Sequence, residues 1–353
     1  MSYDSFPFNN WAKLMRRSLL DEESNFFEAP DPLGDISLRR SISKYLSQYR
    51  GLDVNPDNII VGAGMEYLYG LLISIIGRDK LIAVEDPGYK KAQMVFEANG
   101  STCIRIPVDE EGMEVDRLGD KDISLVHVTP SHHFPLGFVM SAGRKHKLIS
   151  WANAMDAYIL EDDYDSDFRF KGRPISALAS IDSKRVVYMN TFTKTLARSI
   201  RMAYMVLPDS LMKKYRENLE FYSSTVTVFE QRTLAYFIEN GFYERHINRM
   251  RSRYKKSRDD MINCLSKSKL SSICRVFDEG IGLHFIIKVD TNRSDEDIKN
   301  DLLKDGIKIK SVLDYCEKFS NKYNHMFIIN YLETKEINII NAYDKIYEKC
   351  SLK

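Results

Sequence analysis

The sequence contains no apolar run long enough to cross a bilayer, no CxxC pair, no internal repeat and almost no net charge. Each absence removes a class of function. The best apolar run, "LYGLLISII" (68–76), stops at Gly77-Arg78-Asp79, which predicts a buried helix and not a membrane span. The opening "MSYDSFPFNN" lacks the basic-then-apolar order of a secretory leader. Cys103, Cys264, Cys274, Cys316 and Cys350 are odd in number and scattered. Neither a disulfide framework nor a zinc site is expected from them, and the expected compartment is the reducing cytoplasm. A formal charge of +1 over 353 residues gives no bulk attraction for nucleic acid or another polyanion.

What is present is a regular alternation. From about 58 to 208, short apolar runs ("NIIVGAG", "KLIAVEDPGY", "TCIRIPV", "SLVHVTP", "AYILEDDY", "RVVYMNTF", "MAYMVLP") alternate with helical patterns. That predicts an α/β fold with a mostly parallel sheet, in which chemistry collects beyond the carboxyl ends of the strands. After 208 the pattern turns helical, and from about 275 it becomes α+β, with strands in "GIGLHFIIKV", "IKIKSV" and "HMFIINYL". The expected organisation is a large domain over 51–240 and a small domain over 241–353, which the helices of residues 1–50 join. Arg16-Arg17 and Arg39-Arg40 raise a DNA-reading helix-turn-helix, but the connection holds Pro30, Pro32 and Gly34 and is too long. Solvated helix faces account for them better.

Three strand ends carry chemistry. In "NIIVGAGMEYL" a strand closes on Gly62-Ala63-Gly64 and a helix opens, exposing backbone N–H groups at the positive end of a helix. That suits an anion such as phosphate. The stretch has neither the lysine of a P-loop nor a complete GxGxxG, and tight packing explains it equally well by itself. In "LEDDYDSDF", Asp162 follows a buried strand directly, where a carboxylate is costly unless a cation meets it. Asp165 and Asp167 read as a solvated acidic loop. A carboxylate metal site is the rival, but the segment holds no histidine, and a cationic organic cofactor would satisfy one carboxylate better than four. In "YMNTFTKTLARSIRMAYMVLP", Lys194 sits on a turn with the hydroxyls of Thr191 and Thr193 and the fixed charge of Arg201, a second set of phosphate ligands. Its amine is a nucleophile for an aldehyde. A phosphate cradle, an acid for a ring nitrogen and an amine for an aldehyde converge on pyridoxal 5′-phosphate.

The sequence resembles the fold-type I pyridoxal-phosphate aminotransferases of class I/II, most closely the aminotransferase-like domain of MocR-type regulators in the GntR superfamily. "VEDPGY", "VTPSHHFPLG", "LEDDYDSDFRF", "YMNTFTKTLARSIRMAYMVLP" and "EQRTLAYFIENGFYERHINRMRSRY" carry the resemblance in family order, over nearly the whole chain. It implies a Schiff base at Lys194, Asp162 on the pyridinium nitrogen, Tyr164 on the phenolic oxygen and Tyr89 stacked on the ring. It also implies phosphate held by backbone groups of Ala63, Gly64 and Met65 with Thr191, Thr193 and Arg201. A homodimer acting on an amino acid or amine and a keto acid is expected.

The family pattern breaks in places. The chain is expected to be either a stand-alone enzyme-like protein or an incomplete one, since the winged-helix domain of the regulators and the segment that precedes "FPFNNW" in relatives are not in it. Ala29 of "APDPLG" stands where the family has a tyrosine that reaches a partner subunit. Ile328 or Ile329 stands where aminotransferases place the arginine that grips a substrate carboxylate. Lys91 and Arg198 are the substitute cations, each equally readable as a surface charge. His132 and His133 belong to the cofactor-facing loop by resemblance, and a metal role is not expected of them, since adjacent residues rarely chelate one ion well. Two functions stay open: an aminotransferase, or an effector-sensing module that binds an amine without turnover.

Overall fold

The computed structural model describes residues 6–21, 29–170, 175–277, 280–331 and 336–351. The first five residues, part of the stretch read for a leader pattern, lie outside it. Two helices, α1 (Phe8–Asp21) and α2 (Ile36–Arg50), come first. Then β1 (Ile59–Gly62), α3 (Met65–Ile76), β2 (Leu81–Asp86), α4 (Lys90–Ala98), β3 (Thr102–Asp109), β4 (Gly112–Met113), β5 (Ile123–Val128), α5 (Ala142–Ala154) and β6 (Tyr158–Asp162) follow the expected alternation. β7 (Val186–Thr191) and β8 (Ala203–Val206) complete one eight-stranded sheet of order β1-β8-β7-β6-β5-β2-β3-β4. Its centre, β7-β6-β5-β2-β3, is parallel, while β8 runs antiparallel to both β7 and β1.

Both faces of this sheet are covered, which is why its strands read as continuous apolar runs. Adjacent residues serve opposite faces. Ile159 belongs to the core shared with α2, α5 and α7 (Val228–Glu239) on one side, and Leu160 to the core shared with α3 and α6 (Asp209–Asn218) on the other. The helical stretch that begins at Val228 breaks at Gly241, in the left-handed conformation with φ 67°, before α8 (Phe242–Lys267).

A second sheet, β11-β12-β10-β9, is antiparallel. It comprises β9 (Cys274–Phe277), β10 (His284–Val289), β11 (Lys310–Ser311) and β12 (Met326–Asn330), with α9 (Asp295–Lys304) and α10 (Glu336–Ser351). "IKIKSV" was expected to be a full strand but contributes only Lys310 and Ser311 to pairing.

Two expectations are corrected. Residues 1–50 were assigned to the small domain, yet α1 and α2 pack on α7, and Leu14, Leu38, Ile42 and Leu46 belong to the core beneath the large sheet. Their apolar stripes match that face, which β1 and α7 leave open to them. Arg39 was expected to be solvated but is 2% exposed, bonded to Gly34 O and Pro56 O and paired with Asp31 and Asp57. It fastens α2 to the entry of β1. No helix among the described residues is long and apolar enough to cross a membrane.

Candidate functional site

The three strand ends singled out in the sequence meet at one cavity of about 210 Å³. Met65, Tyr89, Lys91, Asp162, Tyr164, Thr191, Thr193, Lys194 and Arg201 all line it. Each arrives by a simple route. β6 ends on Asp162, the turn after β7 carries Lys194, and α3 opens with Met65 just after Gly64. Gly64 adopts φ 97°, a conformation that favours glycine, and offers no side chain to cap the first turn of α3. A Cβ built on it would fall 2.6 Å from Arg201 Nη2, so the guanidinium lies directly against the glycine backbone.

Lys194 and Arg201 share one loop, closed at its base by the pairing of Thr191 with Ala203. Inside it, Thr193 N donates to Thr191 Oγ1 at 3.1 Å, and Thr193 Oγ1 donates to Ile200 O at 3.2 Å. Those bonds fix the turn around the lysine, whose side chain is exposed. Tyr89 is 38% exposed and meets Phe134 edge-on at 5.8 Å.

Asp162 is 4% exposed. Its Oδ2 accepts a bond from the Tyr69 hydroxyl, and His127 Nε2 lies 3.3 Å from the same oxygen. Burial and the nearby Asp162 push the Tyr69 hydroxyl well above its ordinary value, so it stays a donor. Asp162 Oδ1 is buried and has no partner among the described residues. A carboxylate oxygen left in this state is costly, and a donor would relieve it.

The expectation for the rest of the acidic segment is corrected. Asp165 and Asp167 are 2% and 9% exposed, not solvated. Asp165 Oδ2 lies 2.8 Å from His132 Nδ1, and Tyr164 OH is 3.3 Å from that same nitrogen. Asp167 accepts a bond from the Tyr45 hydroxyl, and burial raises its own value. Asp163 pairs with Arg50 at 2.6 Å and accepts from Tyr188 OH at 2.5 Å. The carboxylates thus point to different partners, which is why they do not form one ligand set.

The structure separates some of the remaining residues. Arg198 is exposed and does not line the cavity, whereas Lys91 does. The Ala63 N–H, expected to face an anion, donates to Thr225 Oγ1 at 3.0 Å. Ile328 and Ile329 are buried in apolar clusters of the second sheet. His133 stacks on Phe138, and burial pushes its imidazole down to about 3.

Sequence reasoning passed over Glu66, Tyr69, Thr129 and Phe134, which also line the cavity. Tyr69 lies one helical turn beyond Met65, a spacing that could have found it. Glu66 was visible as an acid in the first turn of α3. Thr129 anchors the loop under Phe134: its N–H and hydroxyl donate to Glu85 Oε2 at 3.1 and 2.9 Å. Burial raises that glutamic acid to about 8.

The aminotransferase class I and II family model matches residues 1–305. The chain belongs to that family. Among curated relatives, the uncharacterized HTH-type transcriptional regulator YdeL of Bacillus subtilis is 38% identical over 87% of this chain and 66% of its own length. The probable rhizopine catabolism regulatory protein MocR of Rhizobium meliloti is 30% identical over 83% of this chain and 59% of its length. The chain therefore spans less than two thirds of these relatives. An archaeal alanine:glyoxylate aminotransferase superposes with TM-score 0.84 at 20% identity, covering 99% of this chain and 88% of that one. The Pyrococcus horikoshii kynurenine aminotransferase, solved with PMP, gives 0.80 at 22% identity, covering 98% and 88%. The fold is that of the fold-type I aminotransferases.

Proposed function

We propose that this chain binds pyridoxal 5′-phosphate in the 210 Å³ cavity and acts on an amino acid or amine as an aminotransferase-type protein. One observation carries the reading: Asp162, whose Oδ1 is buried and unpartnered among the described residues, lines the same cavity as Lys194 and Arg201 of the adjoining loop. The residues fit the group. Asp162 would hold a protonated ring nitrogen, Tyr164 would meet the phenolic oxygen, and Tyr89 would pack on the ring. Met65, Thr191, Thr193 and Arg201 would hold the phosphate, with the Ala63 and Gly64 N–H groups, already bonded to Thr225 Oγ1 and Gly62 O, taking the smallest part. When bound, the cofactor supplies an aldehyde for covalent capture of an amine and a cationic ring that withdraws electrons.

The protein's own groups have definable tasks. Tyr69 and His127 hold Oδ2 of Asp162 and leave Oδ1 free for another donor. Lys194 Nζ would serve as the nucleophile and as the base for the substrate's proton. Phe134 and Tyr89 form one aromatic wall of the cavity. A homodimer in the cytoplasm is the setting we expect, as for the family.

The test is covalent trapping. Borohydride reduction of the reconstituted protein should fix one cofactor on Lys194, read by peptide mass, and Lys194→Ala should abolish the adduct. An undiminished adduct in that variant refutes the assignment. A second reading, an amine-sensing module without turnover, is favoured by the 30–38% identity to HTH-type regulators and by the apolar burial of Ile328 and Ile329. Incubation with amino acids and 2-oxoglutarate separates the two: keto-acid release supports turnover, and a spectral change without product supports sensing.

A further inference from the structure

Glu66 occupies an unusual place. It sits in the first turn of α3, where a negative charge is favoured, and it lines the cavity beside the glycine cradle. Its Oε2 pairs with Arg201 Nη2 at 2.6 Å, and its Oε1 pairs with Lys91 Nζ. Arg201 and Lys91 both line this cavity, and one carboxylate holds both. Burial alone would raise the Glu66 carboxyl, but the bonds from Lys91 and its own backbone, with the charges of Arg201 and Lys91, carry it down to about 2. The carboxylate is thus charged across the working pH range.

We propose that Glu66 is a built-in competitor for the cofactor's phosphate: it neutralises Arg201 and Lys91 at the cradle and must yield Arg201 when a phosphate binds. This rests on the reading of the cavity as a pyridoxal-phosphate pocket. The pairing keeps Arg201 pressed against Gly64, so the cradle is formed before the ligand enters. It also lowers affinity, because binding exchanges one ion pair for another and leaves a carboxylate beside a phosphate. All three side chains are between a third and just over a half exposed, so solvent screens the effect and its size is modest.

The test titrates the apo-protein with pyridoxal 5′-phosphate and with pyridoxal, which lacks the phosphate, following protein fluorescence and visible absorbance. Glu66→Gln should lower the Kd for the phosphorylated ligand about three- to tenfold and leave that for pyridoxal unchanged. Raising the salt concentration should shrink the difference between variant and parent. Glu66→Ala provides a second measurement with the same expected direction should Glu66→Gln fail to fold. An unchanged or weaker Kd for pyridoxal 5′-phosphate overturns the proposal, and so does equal tightening of both ligands. If neither ligand binds the parent protein, the cofactor reading itself fails, and this one with it.

Discussion

Replacing Asp162 with asparagine should move two properties in opposite directions. Asp162 is 4% exposed, Oδ2 takes bonds from Tyr69 and His127, and Oδ1 has no partner among the described residues. Asparagine keeps an oxygen for Tyr69 and His127 and puts a neutral amide where the orphaned carboxylate oxygen was. A buried group left unsatisfied costs about 1–3 kcal/mol, more when charged, so the empty variant should gain about 1 kcal/mol. The holo-protein should lose. A charge-assisted bond to a ring N–H is worth about 1.5–3 kcal/mol, and the amide offers that N–H a second donor in place of an acceptor. Affinity for pyridoxal 5′-phosphate should fall about 10- to 100-fold. Urea unfolding of the apo-protein measures the first quantity, and fluorescence titration measures the second. Unchanged cofactor affinity would show that Asp162 does not meet the ring. A variant that loses stability when empty would show that the orphaned oxygen is not a liability.

Two further substitutions test the frame around the cavity. Glu85 has a folded value of about 8 against 4.5 for the free side chain, with burial as the leading cause. Its bound proton therefore stabilises the fold fully below about 4.5, and that contribution is lost as the pH rises to about 8. Glu85→Gln should gain a few kcal/mol relative to the parent across this window, and parallel stability–pH curves for the two proteins would refute the argument. Arg50→Met leaves Asp163 buried without its cation and should cost about 3–5 kcal/mol in denaturant unfolding. Adding Asp163→Asn should recover part of that loss, and an additive double variant would show that the pair is not coupled.

The parallel sheet and the strand-end chemistry were legible in the sequence because both are local properties. An apolar run says that a strand is covered on both faces, and Lys194, Asp162 and Gly64 each follow such a run. What could not be read was set by distant partners. Asp165 reads as solvated until His132, thirty-three positions earlier, is brought against it. Asp167 needs Tyr45, which is farther still and on a helix whose docking was itself misjudged. The stripes of α1 and α2 say that an apolar face must be buried but not against which sheet. Glu66 was overlooked for a different reason: an acid early in a helix is so ordinary that its pairing with Arg201, far along the chain, leaves no trace in local spacing.

The antiparallel return of β8 has a consequence for how this cavity can vary. Thr191 and Ala203 are laddered together, so the segment between them is a tether pinned at both feet, with the amine near one foot and the guanidinium near the other. Adding or removing one residue there cannot be absorbed by slippage along the neighbouring strand without turning its side chains to the wrong face. The distance between these two groups is therefore a matter of exact chain count, and natural variation should spare its length even where it changes its letters.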